Sequence, residues 1–216
     1  SLHPRIVRNN EEIVNRLLER SNPPKGQVTF GELSGAGART LKFGVSYVVF
    51  SDTILFWSNA DEWSVQVLFE HVAALITKSL ALMLPLRVGI AFGECEIDTD
   101  RGIYIGPAIV DAYQTEVAQL WIGGACHPSC EIDPLFRYYI IEELGLVVEY
   151  TVPTRSNAKL GMALNWVNYG SNRVSAANLR KYLHEGRTRA MSVDGQLKWD
   201  NAAIFFEWRQ GFSNSE

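Results

Sequence analysis

"VVFSDTILFW", Val48 to Trp57, decides how the chain is read. Two apolar, β-branched runs flank one short polar break, Ser51-Asp52-Thr53. Alternating apolar residues on both sides of such a break predict an antiparallel hairpin over Val45 to Ser58. The hairpin puts a carboxylate at its tip. An Asp there suits a tight turn, because its side chain bonds its own backbone. It equally suits a metal ligand held out on a rigid support.

Working outward, Asn59 to Asp61 can cap a long helix, Trp63 to Leu84, which Pro85 ends. That helix contains Glu70, His71 and Lys78, which argues for a buried helix of a globular protein and against a membrane span. Leu86 to Ile97, "LRVGIAFGECEI", begins as a strand. Leu86, Val88, Ile90 and Phe92 share one face; Arg87, Gly89, Ala91 and Gly93 share the other. A face that carries one Arg and otherwise almost nothing invites close approach by another group. "DTDRG", Asp98 to Gly102, is a turn and "IYIG" a short strand. Pro107 stands at the first position of a helix in which Ile109, Ala112, Tyr113, Glu116, Val117 and Leu120 form one apolar stripe. Glu116 is its only charge.

Upstream, Asn10 to Arg20 reads as a first helix and Val28 to Lys42 as a Gly-rich strand and loop. Downstream, strands are expected near Trp121–Ala125 and Gly145–Val152, and helices near Ala176–His184 and Asn201–Gln210. Hairpins and single strands alternate with helices that all cover one sheet, which is an α+β sandwich. No GxxxxGK[ST] and no GxGxxG following a strand occurs, so neither a P-loop nor a dinucleotide fold is supported.

The totals bound the function. The chain has 216 residues, 47% hydrophobic and 20% charged, with a net charge of −4. That predicts one domain, with a core over about 5–150 and an extension over about 151–216. An acidic balance disfavours DNA as a partner. Cys95, Cys126 and Cys130 are too few and too irregular for a disulfide framework, and the opening residues do not read as a signal peptide. The expectation is a cytoplasmic protein with no membrane insertion. "CHPSC", Cys126 to Cys130, has no second Cys/His pair at finger spacing; it reads as a strand followed by a Pro turn rather than a zinc knuckle.

Taken in order, "FSDTILFW", the helix Trp63–Leu84, "LRVGIAFGE" and "IYIGPAIVDAYQTE" resemble the class III nucleotidyl cyclases. They look most like divergent bacterial members similar to the pyrimidine nucleotide cyclases of Pycsar antiphage defence. The resemblance covers about residues 5–125 and rests on the order of the motifs, none of which is specific alone.

It implies a ferredoxin-like sandwich with helices on a largely antiparallel sheet. It implies Mg²⁺ or Mn²⁺ held by two Asp residues, and active sites shared between the two chains of a homodimer. Asp52 matches the hairpin-tip ligand. The partner Asp is expected upstream of Ser1, with Glu32 a weak substitute. Phe50, Ser51 and Thr53 flank the triphosphate, Arg87 reaches phosphate, and Tyr113 stacks on base or ribose and joins Asp52 as a catalytic residue. Purine cyclases read the base with a Lys and an Asp, where this chain has Val48 and Gly102 or a neighbour. The family's Asn and Arg on the later helix fall at Ile109 or Val110 and at Tyr113 or Gln114. These departures imply UTP or CTP as substrate, or a cyclase-like module that binds nucleotide or protein without turnover.

Overall fold

The computed structural model describes residues 39–40, 44–50, 52–133, 136–155, 158–171 and 174–213. The helix expected at Asn10–Arg20, most of the segment Val28–Lys42, Glu32 and Ser51 lie outside them. The chain divides into two compact units, one of residues 1–71 and 96–105, the other of residues 72–95 and 106–216.

In the first unit, β1 (Arg39–Thr40), β2 (Val45–Phe50) and β3 (Thr53–Ser58) form an antiparallel sheet in that order. The β2–β3 pairing runs from Val45 opposite Ser58 to Phe50 opposite Thr53. This is the hairpin expected from the alternation. Helix α1 (Glu62–Ala81) follows. Asp61 caps it: its Oδ1 accepts the Ser64 N–H at 3.0 Å, which holds the carboxyl below its ordinary range. Val67 of α1 packs with Val45 and Tyr47 of β2, flanked by Val49, Ile54, Phe56 and Leu68. The division between units falls inside α1. Val72, Ala73, Leu75, Ile76 and Leu80, in its later turns, are buried.

Helix α1 ends at Ala81, earlier than Pro85 alone requires. The Leu84 N–H donates to the Ser79 carbonyl at 2.8 Å and the Met83 N–H to the Leu80 carbonyl at 3.0 Å. That is a Schellman termination, and Met83 occupies its left-handed position at φ 57°.

The second unit is built on a four-stranded sheet. β4 (Arg87–Ile90) comes first in it, and β5 (Glu96–Asp98) pairs with β6 (Ile103–Ile105) as a separate antiparallel hairpin in the first unit. Helix α2 (Pro107–Ala118) and β7 (Gly123–Cys126) follow, then a 3₁₀ turn over Pro128–Ile132 and a π-helical segment over Phe136–Glu143. β8 (Val147–Glu149), β9 (Met162–Leu164), α3 (Trp166–Ser171), α4 (Ala176–Arg189) and α5 (Val193–Ser213) complete the chain. The sheet order is β4-β7-β9-β8, with β4 and β7 parallel and the other neighbours antiparallel.

The protein is therefore α+β. Its described strands form three sheets instead of the single sheet that the alternation of elements suggests. The segment beyond Tyr150 supplies β9, which lies between β7 and β8. The aromatic core comes largely from there too. Trp121, Trp166, Phe205 and Phe206 are fully buried, and the Phe205 ring meets Trp121 and Tyr150 edge-on at 4.9 Å each. Burial against this cluster pushes the Tyr150 phenol up.

Candidate functional site

The hairpin tip is built from register. Phe50 pairs with Thr53, which leaves Asp52 at the very end of the hairpin, exposed. Among the described residues its carboxylate has no hydrogen bond or ion pair. Thr53 is also exposed, and Phe50 is 44% exposed. The Phe50 ring meets Tyr104 of β6 edge-on at 5.2 Å, and Tyr104 also touches Trp57 at 5.8 Å. The tip thus presents an acid and a hydroxyl beside an aromatic ledge. The sequence reading missed Tyr104. Its signal was an aromatic residue in the short strand "IYIG" with no core role assigned to it.

The face of β4 that carries Arg87 and Gly89 is covered by α2. A Cβ on Gly89 would sit 1.9 Å from the Ala112 carbonyl oxygen and 2.7 Å from the Glu116 nitrogen. The close approach invited by that small-residue face is made by the protein's own helix. Arg87 forms an ion pair with Glu116 at 2.7 Å and donates to the Gln119 carbonyl at 3.3 Å. Neither Glu94 nor Glu96, the acids nearest to it along the same segment, is its ion-pair partner among the described residues.

Gln119 completes the seam. Its amide nitrogen donates to the Val88 and Thr115 carbonyls at 2.9 Å each, and its oxygen accepts the Trp121 indole N–H at 2.7 Å. A fully buried amide is tolerable because these bonds satisfy it.

Tyr113 lies on the other side of α2 and is 65% exposed; Val110 and Val117 are exposed with it. The stripe expected to face the core is therefore split. Ala112, Thr115, Glu116 and Gln119 turn toward β4, and Tyr113 and Val117 face outward. Pro107 does stand at the first helical position, after Gly106 at φ 144°. A Cβ on Gly106 would meet the Cys95 Cα and the Glu94 carbonyl oxygen at 2.6 Å, so that glycine is required by backbone geometry.

A second cluster gathers where the parallel strands β4 and β7 end. His127 caps the 3₁₀ turn, its Nδ1 accepting the Ser129 N–H at 3.2 Å. The Ser129 hydroxyl lies 3.0 Å from the same nitrogen and accepts the Phe92 N–H at 3.1 Å. Asp111 of α2 places Oδ2 3.6 Å from that nitrogen as well. Cys126 and Cys130 are buried beneath, and burial together with the neighbouring Cys130 pushes the Cys126 thiol well up. "CHPSC" is a strand followed by a Pro-led turn, as its sequence suggests. The partnership with Asp111, 16 positions earlier, was not legible.

Among the described residues no group of three or more His, Cys, Asp or Glu is placed to hold a metal. No helix among them is long and apolar enough to cross a membrane. The chain matches no family model, no curated protein and no solved structure.

Proposed function

We propose that this chain is a nucleotidyl cyclase that converts a ribonucleoside triphosphate, UTP or CTP by preference, to its 3′,5′-cyclic monophosphate and pyrophosphate. The observation that carries this reading is the exposed carboxylate of Asp52 at the end of an antiparallel hairpin, with no hydrogen bond or ion pair among the described residues. It is followed in chain order by a long helix, the strand "RVGI", a second hairpin and a helix opened by Gly-Pro. That order is the one the cyclase resemblance requires, and a ferredoxin-like arrangement is part of the proposal.

A magnesium or manganese ion takes one or two protein carboxylates and fills its remaining positions with water and phosphate oxygens. The exposed carboxylate of Asp52 fits one such position. When bound, the ion offsets the triphosphate charge and favours the ionised ribose hydroxyl. The ribose 3′ oxygen attacks the α-phosphorus. The bond from that phosphorus to the β-phosphate bridging oxygen breaks, pyrophosphate leaves, and the hydroxyl proton passes to solvent.

Asp52 anchors the triphosphate end. The Thr53 hydroxyl and the backbone around Phe50 border it, as Ser51 does by sequence. Tyr113, exposed on α2, is available to a base or ribose. Arg87 reaches phosphate only by leaving Glu116. Exposed Val110, Tyr113 and Val117 give α2 an apolar face suited to a homodimer. Antiphage signalling is the role this chemistry suggests.

A second reading has a specific observation behind it. Arg87, the cation expected at phosphate, is committed to Glu116 and Gln119, which favours a cyclase-like module that binds nucleotide or protein without turnover. Incubation with each of the four ribonucleoside triphosphates and Mn²⁺, with products identified by mass spectrometry, separates the two. Cyclic UMP or cyclic CMP is expected. Nucleotide binding by a folded protein with no cyclic product selects the binding module.

A further inference from the structure

We propose that His127 is a pH-operated latch: neutral, it caps the turn after β7; protonated, it releases the Ser129 amide and pairs with Asp111 on α2. The inference does not depend on the cyclase reading. It rests on three groups that converge on one ring nitrogen. Nδ1 accepts the Ser129 N–H at 3.2 Å, so in this arrangement it carries no proton and the ring proton sits on Nε2. The Ser129 hydroxyl, 3.0 Å away, donates to the same nitrogen. Asp111 Oδ2, at 3.6 Å, brings a second acceptor toward an atom that has nothing to donate.

Adding a proton to Nδ1 reverses each relation. The Ser129 N–H and the new Nδ1–H would be two donors face to face, so the cap bond is lost. The carboxylate of Asp111 becomes an ion-pair partner. The Ser129 hydroxyl can rotate, accept from Nδ1–H and still accept from Phe92, so its contact survives in both states. The Ser129 amide is thus the discriminating group.

Histidine is the side chain whose charge changes between about pH 5 and pH 8. Each neighbouring element brings its own groups to the ring. α2 contributes Asp111 and the 3₁₀ turn contributes Glu131 and the Cys130 thiol. β7 contributes the Cys126 thiol, held protonated by burial. The segment after β4 contributes the uncharged Ile90 carbonyl and Phe92 amide, with Glu94 two residues further on. Among the described residues no Lys or Arg makes an ion pair or hydrogen bond with this group.

The latch matters because of what it joins. The His127 N–H donates to the Ile90 carbonyl at 2.7 Å, Phe92 donates to Ser129, and Asp111 lies on α2. His127 therefore joins the end of β4 through its backbone, and the turn after β7 and α2 through its imidazole. Release of the cap frees the 3₁₀ turn, and pairing with Asp111 tightens the link to α2.

Nitrogen NMR of the His127 ring, with amide exchange at Ser129, tests this on the whole protein. Near pH 8 the Nε2–H tautomer is expected. On acidification to about pH 5.5, exchange protection at Ser129, corrected for intrinsic rate, should fall by about tenfold. His127→Asn keeps a capping oxygen but does not titrate, so its Ser129 protection should stay constant over that range. A Nδ1–H tautomer at neutral pH, or the same loss of Ser129 protection in His127→Asn, overturns the proposal.

Discussion

The β2–β3 hairpin and the β4-β7-β9-β8 sheet contrast two ways of presenting a charged side chain. The hairpin is held by neighbours in sequence. Its register is set by a tight turn, and one face packs on α1 through Val45, Tyr47 and Val67. Asp52 at its end makes no hydrogen bond or ion pair among the described residues. The larger sheet is held by residues far apart in the chain, and Arg87 on it is bound at once by Glu116 and Gln119. Local construction leaves a carboxylate without an ion pair among the described residues; long-range construction consumes the cation that sequence assigned to phosphate. The difference teaches that a charge on a sparse strand face is first a candidate for the protein's own covering helix.

The strongest way to break this comparison is to force β4 and α2 apart. Gly89→Val puts atoms into the Ala112 carbonyl and the backbone of Glu116. The expected cost is about 3 kcal/mol or more, because the obstacle is backbone and cannot rotate away. Chemical denaturation checks it, and a midpoint equal to wild type would mean the helix approaches less closely.

Phe205→Ala removes the ring that touches Trp121, Tyr150, Trp166 and Trp208. A loss of about 3–5 kcal/mol is expected by the same measurement. A loss under about 1 kcal/mol would mean that this cluster is not what holds the larger sheet.

Met83→Gly sharpens the view of α1. Methionine is strained at φ 57° where glycine is not, so a gain of about 1 kcal/mol is expected in thermal unfolding. Asp61→Asn gives the smallest effect. Asp61 has its carboxyl lowered by the Ser64 N–H, so its contribution is present above the ordinary value of 3.8 and is lost as pH falls through the lower folded value. The asparagine keeps the cap without titrating. Its stability difference from wild type should change below about pH 4 and stay flat above.

The hairpin was legible because its signal is local: β-branched runs, a polar break and a period of two. The cap at Asp61, the turn at Asp98–Gly102 and Pro107 at the start of α2 were legible for the same reason. The apolar spacing on α2 groups Tyr113 and Val117 with Ala112 and Glu116 on one stripe, yet Tyr113 and Val117 are exposed. Apolar spacing does not reveal that Gly89 admits the backbone at Ala112, which rotates the buried face toward Thr115 and Gln119. β9 has three residues, "MAL", too short for any alternation to appear, and its place between β7 and β8 is set by pairing across the chain. Helices α4 and α5 were found but begin or end up to eight residues from their expected bounds. The α4–α5 crossing at Gly186, where a Cβ would strike the Trp199 ring at 2.4 Å, leaves no periodic trace. Of the site, Asp52 and Phe50 were visible in the sequence, while Tyr104 and the His127–Asp111 pair required the fold.

The most direct test of the central claim compares wild type with Asp52→Asn in pyrophosphate release, using UTP and CTP with Mn²⁺. The substitution is isosteric, exposed and free of hydrogen bonds and ion pairs among the described residues, so the melting temperature should not change. Cyclic nucleotide is expected from the wild type, with a loss of about a hundredfold or more in the variant, as removal of a metal-binding carboxylate demands. Full activity in Asp52→Asn would contradict the claim, and so would a folded wild type that makes no cyclic product from any nucleotide.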